Sequence, residues 1–115
     1  MLLIQLLVFY GTVISVTSDR ACDVCNCSGT VVNCTGRSLT EIPTDIPENT
    51  TKLFLNGSQI RDIPQTAFLS LVNLQWLWLH DNQITEIPQR AFSSLVNLEE
   101  LYVYFSCKFE EKNPT

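Results

Sequence analysis

Four closely spaced cysteines are the strongest candidates for a metal site or a covalent cross-link in this chain. They lie in the segment CDVCNCSGTVVNC and are Cys22, Cys25, Cys27 and Cys34. Thiolates spaced C-x-x-C can share a tetrahedral zinc ion, whereas in an oxidising compartment the same residues form disulfides. Four cysteines can be joined in three pairings, and their spacing does not choose among them. The choice between zinc and disulfides therefore depends on where the protein is delivered.

The N-terminal residues predict entry into the secretory pathway. Residues 1–16, MLLIQLLVFYGTVISV, are almost wholly apolar and carry no charged side chain. This run is shorter than the ~20 residues that a membrane-spanning helix needs, and small residues follow it up to Ser18. We predict a signal peptide over residues 1–18, with a signal anchor as the alternative. No later apolar stretch could span a membrane, so we expect a secreted, extracellular protein whose clustered cysteines form disulfides and not a metal site.

Catalysis and nucleic-acid binding are both poorly supported by the sequence. His80 and Asp81 are the only pair that suggests acid–base chemistry, and neighbouring strand residues project to opposite faces unless the strand has already ended. No nucleophile placed by pattern, Gly-rich phosphate loop or metal triad accompanies them. The net charge of −5 argues against nucleic acid, whose binding needs a basic stripe. We therefore expect a protein that is not an enzyme and has no cofactor.

An internal repeat organises the second half of the chain. The segments QIRDIPQTAFLSLVNL (59–74) and QITEIPQRAFSSLVNL (83–98) match at 12 of 16 positions, at a period of 24 residues. The same offset relates Leu53 to Leu77 and Leu101, and Asn82 completes the leucine-rich repeat pattern L-x-x-L-x-L-x-x-N-x-L. Such repeats contribute one short strand each, and the strands stack into a parallel sheet that lines a concave surface. We expect Asn82 to bond backbone groups of the turn inside this solenoid, and Ser58, one repeat earlier, to do so less completely.

Alternation along the strands separates the core from a candidate binding surface. The leucines of each L-x-L point inward, so the outward positions form three columns across the concave face. These columns are Lys52, Trp76 and Glu100; Phe54, Trp78 and Tyr102; and Asn56, His80 and Tyr104. Aromatic ladders on one face are typical of binding surfaces, although cross-strand aromatic pairs also stabilise sheets by roughly 0.2–1 kcal/mol each. We predict a ligand-binding face of Phe54, Trp76, Trp78, His80, Asp81, Tyr102 and Tyr104, with packing alone as the alternative.

The cysteine segment and the residues after it, CDVCNCSGTVVNCTGRSLTEIPTDIPENTTKLFLNG, resemble a known cap. Extracellular leucine-rich repeat proteins in the style of Slit and the variable lymphocyte receptors of jawless vertebrates carry a cysteine-rich N-terminal cap of this kind, and the resemblance covers about residues 22–105. In such caps the first cysteine pairs with the third and the second with the fourth, which implies Cys22–Cys27 and Cys25–Cys34. The resemblance implies an α/β solenoid, with a short curved parallel sheet and a disulfide-stapled cap, that binds a protein or glycan ligand in an immune or adhesion role. Because LTEIP (39–43) resembles ITEIP (84–88), we also expect Val32 and Cys34 to occupy the columns of Leu77 and Leu79.

The chain departs from this family after LEELYVYF. Ser106, Cys107 and Lys108 follow where the repeat should continue, and a cysteine-rich C-terminal cap is missing. We divide the chain into a signal peptide (1–18), a cap (19–50), two full repeats and one partial repeat (51–105), and a non-repeat tail (106–115). The alternative function is a truncated fragment of a longer receptor, associating through an open C-terminal edge or through Cys107 as a free or intermolecular thiol. We expect that edge to expose Leu95, Leu98, Leu101 and Val103.

Four sequons are candidates for N-glycosylation, at Asn26, Asn33, Asn49 and Asn56. Asn49 is the best placed, in the linker between the cap and the first repeat. Asn26 and Asn33 each precede a cysteine, so disulfide formation competes with glycosylation there. Asn33 and Asn56 map to the concave face. A glycan on either would cover its N-terminal end and shift a ligand towards Trp76, Trp78 and Tyr102.

Overall fold

A computed structural model describes residues 20–103 of the protein. In this part of the chain one short helix, α1 (Ala21–Val24), precedes five strands. The strands are β1 (Asn26–Ser28), β2 (Val31–Asn33), β3 (Lys52–Phe54), β4 (Trp76–Trp78) and β5 (Glu100–Tyr102), joined in that order in one sheet. The predicted signal peptide, Tyr104, Cys107 and the predicted tail lie outside the described residues. Within residues 20–103, no helix is both long enough and apolar enough to cross a membrane.

The 24-residue repeat sets the register of the sheet. Leu53 pairs with Leu77, and Leu77 with Leu101, in parallel ladders. Each repeat thus adds one strand, and residues at equivalent positions lie side by side on the same face. The predicted leucine-rich repeat solenoid is confirmed.

The cap adds the first two strands of the same sheet. β1 and β2 form an antiparallel pair, and β2 continues the parallel ladder because Val32 pairs with Leu53. Cys34 is fully buried, and its backbone N–H donates to the carbonyl of Phe54 at 2.7 Å. The expectation that Val32 and Cys34 continue the leucine columns is confirmed. The structure joins Cys22 to Cys27 and Cys25 to Cys34, as the resemblance implied.

The core consists of the inward residues of each repeat. The first layer is fully or nearly fully buried and consists of Ile60, Ile63, Phe68, Leu71 and Leu74. In the next layer Ile84 and Leu95 are buried, whereas Ile87, Phe92 and Leu98 are partly buried. The prediction that Leu95 would be exposed is therefore wrong: it is 7% exposed because it packs into the core formed by the preceding repeat.

Asn82 satisfies backbone groups inside the solenoid. Its Oδ1 accepts a hydrogen bond from the backbone N–H of Ile60 at 2.9 Å, linking two repeats. Its Nδ2 donates to the carbonyls of Leu55 at 2.9 Å, Leu79 at 3.0 Å and His80 at 3.3 Å. In contrast, the hydroxyl of Ser58 accepts one bond from the N–H of Leu39 at 3.1 Å within the described chain. The difference between the two positions is the one expected from their side chains.

Candidate functional site

The outward side chains of β3, β4 and β5, together with His80 just after β4, form a continuous cluster of rings. We call this cluster the aromatic face; it consists of Phe54, Trp76, Trp78, His80 and Tyr102. The register brings it together, because Phe54 pairs with Trp78 and Trp78 with Tyr102. Partners in adjacent strands project to the same side of the sheet, opposite the leucine core. Four of the seven residues predicted to bind a ligand come from three different repeats and meet on these strands.

Trp78 is the centre of the aromatic face. Its ring centroid lies 4.7 Å from that of Phe54, 5.3 Å from that of Tyr102 and 5.7 Å from that of His80. Its indole Nε1–H donates to Oε2 of Glu100 at 3.1 Å, which satisfies the donor of a half-buried side chain. Packing and surface roles are thus combined in Trp78, and a variant of this residue would change the stability of the sheet as well as its outer surface.

Trp76 is the residue of the aromatic face that lies between a lysine and a glutamate on the neighbouring strands. The Nζ of Lys52 lies 4.1 Å from its ring centroid, a cation–π geometry. Lys52 and Glu100 are its register partners on either side, so a positive and a negative residue flank Trp76 in the sheet, and the Glu100 carboxylate accepts the Trp78 indole hydrogen bond. The rings of Trp76 and Trp78 lie within 2° of parallel with centroids 6.4 Å apart. This arrangement provides a broad apolar surface with polar groups of both signs at its edge.

His80 and Asp81 lie just beyond the end of β4, where the strand alternation has ceased. The imidazole contacts Tyr102 edge-on, with centroids 5.8 Å apart, so His80 belongs to the aromatic face. Asp81 is exposed, and its φ of 58° is in the left-handed region. Gly57, one repeat earlier, also has a positive φ of 76°. Asp81 therefore occupies a turn position of the repeat, and its part in ligand binding stays a prediction.

We expect substitutions at Asp81 to change the free energy of unfolding according to how well the new residue adopts the left-handed turn conformation. Asp81→Gly should leave the free energy of unfolding unchanged or raise it slightly, because glycine adopts the left-handed conformation without steric cost. Asp81→Val should lower it by about 1–2 kcal/mol, because a β-branched side chain is strained there. Urea denaturation of the two variants measures both effects. Equal stability of the two variants would contradict the conformational role assigned to this position.

Several apolar side chains were missed by the sequence interpretation because they lie outside the leucine pattern. Val96 is 76% exposed and Leu69 is 60% exposed, in the segments that connect consecutive strands. Val72 is also exposed, at the position equivalent to Val96 one repeat earlier. The repeat alignment could have predicted the exposure of the two valines, because neither lies in a column of core residues. These residues lie in the connecting segments and not on the strands of the aromatic face, and they provide matched controls for it.

The predicted C-terminal edge is less open than expected in the part of the chain that the structure describes. Leu101 is 38% exposed, whereas Leu98 and Val103 are partly buried and Leu95 is buried. Leu101 is thus the one member of the predicted set whose side chain is exposed. Cys107, the proposed intermolecular thiol, lies outside the described residues.

The four sequon asparagines differ in their surroundings. Asn26 and Asn33 are exposed on β1 and β2 and are register partners of each other. Asn49 is exposed in the turn before β3. Asn56 is half-buried, and its Oδ1 accepts a hydrogen bond from the hydroxyl of Thr35 at 3.2 Å. The strand positions place Asn33, but not Asn49, beside the aromatic face.

Comparisons with known proteins agree with this architecture. The family model described as Leucine rich repeat matches residues 48–105, and that described as Leucine rich repeat N-terminal domain matches residues 21–47. Leucine-rich repeat-containing protein 52 of Homo sapiens is 40% identical over 62 residues, which are 54% of this chain and 20% of that protein. Trophoblast glycoprotein of Homo sapiens is 42% identical over 52 residues, which are 44% of this chain and 12% of that protein. The chain therefore spans a fifth or less of the length of these two relatives.

Solved structures show the same fold. The crystal structure of human 5T4, the trophoblast glycoprotein, superposes with a TM-score of 0.63 and 37% sequence identity, over 68% of this chain and 29% of that one. The structure of a TLR13–ssRNA13 complex gives a TM-score of 0.62 and 32% identity, over 66% of this chain and 12% of that one. The cap disulfides and the relatives indicate an extracellular protein. The chain therefore belongs to the leucine-rich repeat family and carries a disulfide-stapled N-terminal cap.

Proposed function

We propose that this chain is a secreted recognition module that binds a protein ligand through its aromatic face, in an immune or adhesion role. The observation that carries the proposal is the cluster of rings from three consecutive repeats on the side of the sheet opposite the core. Tryptophan and tyrosine are enriched among the residues that dominate binding energy at protein interfaces. The leucine columns already form the core, so burial in the core does not explain large rings at these outward positions.

The polar surroundings of the rings favour a protein ligand over a purely apolar one. Lys52 and Glu100 border Trp76 with opposite charges. An apolar centre with a charged rim is the usual composition of a protein interface. The charges would orient a complementary pair on the partner, whereas the indole and phenol rings would supply most of the buried area.

Trp76 is the sharpest probe of this function. Its ring lacks the hydrogen bond to Glu100 that Trp78 makes, so truncation should disturb the sheet less. We expect Trp76→Ser to weaken binding about 30-fold, because truncating an interface tryptophan that dominates binding typically costs about 2 kcal/mol or more. Val96→Ser removes an exposed apolar side chain in a connecting segment and should leave binding unchanged.

The experiment presents the secreted chain to an array of extracellular protein domains and measures Kd for each binder by surface plasmon resonance. Wild type, Trp76→Ser and Val96→Ser are compared after circular dichroism shows equal folding. Loss of binding confined to Trp76→Ser supports the proposal. A partner whose binding is lost in Val96→Ser and kept in Trp76→Ser would refute it. Size-exclusion chromatography of the same samples tests the alternative, since association through the C-terminal edge would give dimers that Leu101→Ser disperses.

A further inference from the structure

The aromatic face ends, on its cap side, against an asparagine that lies in a sequon. Asn33 of β2 and Phe54 of β3 are register partners and therefore project side by side from the same face of the sheet. Trp78 packs on Phe54 from the β4 side at 4.7 Å. From the β2 side, the neighbour of the Phe54 ring is the exposed side chain of Asn33. One side of the Phe54 ring therefore faces Asn33 and any group attached to its side chain.

The amide of Asn33 is arranged in a way that is compatible with a sugar on its nitrogen. Its Oδ1 accepts a hydrogen bond from the backbone N–H of Thr35 at 2.9 Å, and an N-linked asparagine keeps this oxygen. Its Nδ2 makes no hydrogen bond to the rest of the described chain, residues 20–103. Asn56, the other sequon on this face, is half-buried, whereas Asn33 is exposed, and this makes Asn56 the poorer acceptor of a sugar.

We propose that Asn33 carries an N-linked glycan whose first sugar packs on the ring of Phe54. In the transfer, the C1–O bond of a lipid-pyrophosphate-linked oligosaccharide breaks and a C1–Nδ2 bond forms at Asn33. The lipid pyrophosphate leaves, and the displaced Nδ2 proton goes to a base of the transferase. Neighbouring strands lie about 4.8 Å apart, so a sugar on Asn33 reaches the ring on the next strand. The C–H groups of a sugar face are a suitable surface for the negative face of the ring.

The glycan would divide the face into two parts. The sugar on Asn33 would cover Phe54. Trp76, Trp78 and Tyr102 would remain accessible to a ligand on the side of the face away from the cap. Asn26 is directly opposite Asn33 in the antiparallel pair, so a glycan on Asn26 would crowd one on Asn33. This inference stands apart from ligand binding, since it concerns an attachment within the chain and is measured without a partner.

The test combines site occupancy with a double-mutant cycle on chain secreted from glycosylating cells. Peptide mass spectrometry reports occupancy at each sequon, and Tm is measured for Asn33→Gln in the Phe54 and Phe54→Thr backgrounds. We expect Asn33 to be occupied and its loss to lower Tm by about 4 °C with Phe54 present, and by much less with Phe54→Thr. Asn49→Gln is the matched control and should shift Tm equally in both backgrounds.

A second preparation separates the sugar from the asparagine itself. The same variants, refolded oxidatively from a host that does not glycosylate, should show no coupling between positions 33 and 54. Coupling that persists without sugar would assign the effect to the side chains and overturn the proposal. An unoccupied Asn33, occupancy of Asn26 in its place, or equal Tm losses in both Phe54 backgrounds would also overturn it.

Discussion

Asn82→Ala is expected to lower the free energy of unfolding by about 3 kcal/mol or more, because buried polar groups left without a partner cost roughly 1–3 kcal/mol each. Three such groups depend on this side chain: the N–H of Ile60 and the carbonyls of Leu55 and Leu79. All three residues are fully buried, so water cannot replace the lost amide without opening the repeat. Equilibrium urea denaturation, followed by circular dichroism, measures the loss.

The chain supplies the control for this variant. Ser58 stands at the position of Asn82 one repeat earlier and bonds a single backbone N–H. Asn82→Ser should therefore lose less stability than Asn82→Ala, since a hydroxyl keeps one polar partner in the turn. If Asn82→Ala lost less than about 1 kcal/mol, the hydrogen bonds of Asn82 would not be holding the two repeats together.

Removal of the Cys25–Cys34 disulfide is the second large effect. A double Cys25→Ala, Cys34→Ala variant should lose about 3–5 kcal/mol, because a native bridge in a small secreted domain typically contributes about 2–5 kcal/mol and these two sulfurs are buried as well. Both sulfurs also lie in the buried core, and Cys34 continues the leucine column of the repeats. Truncation thus removes packing at the first layer as well as the cross-link.

The second bridge provides the comparison. Cys22 is exposed and Cys27 half-buried, and they are separated by 5 residues, against 9 for Cys25 and Cys34. A double Cys22→Ala, Cys27→Ala variant should lose about 2 kcal/mol, which the closure of a short loop alone accounts for. Thermal and urea unfolding without reductant gives both values. If the Cys22–Cys27 variant lost as much free energy of unfolding or more, the packing of Cys34 in the core would not contribute as argued.

The register of the fold was predictable because the repeat period is strict. Leu53, Leu77 and Leu101 share one offset of 24, and the alternation then assigns Trp76 and Trp78 to the opposite face. The cysteine pairing was not predictable from spacing. It required the resemblance to known caps, since each pairing closes short loops.

The membership of the aromatic face was predictable from the sequence, but the packing of its rings was not. The columns identified the aromatic residues of β3, β4 and β5, whereas the distances among their rings depend on side-chain rotamers that no period encodes. The hydrogen bond from the Trp78 indole to Glu100 depends on these rotamers, and so does the position of the Lys52 Nζ over the Trp76 ring. The burial of Leu95 was missed for a related reason, because a partly covered layer still packs against the complete layer before it.

The central claim is that the aromatic face is the binding surface, and the chain contains a direct reporter of it. Trp76 and Trp78 are its only two tryptophans, and both lie on this face. Fluorotryptophan-labelled chain therefore gives two ¹⁹F resonances, and an unlabelled partner from the array contributes none. Titration with that partner should shift or broaden both resonances, saturating at the Kd measured by surface plasmon resonance. Saturated binding that leaves both resonances unchanged would place the partner elsewhere on the solenoid and contradict the proposed function.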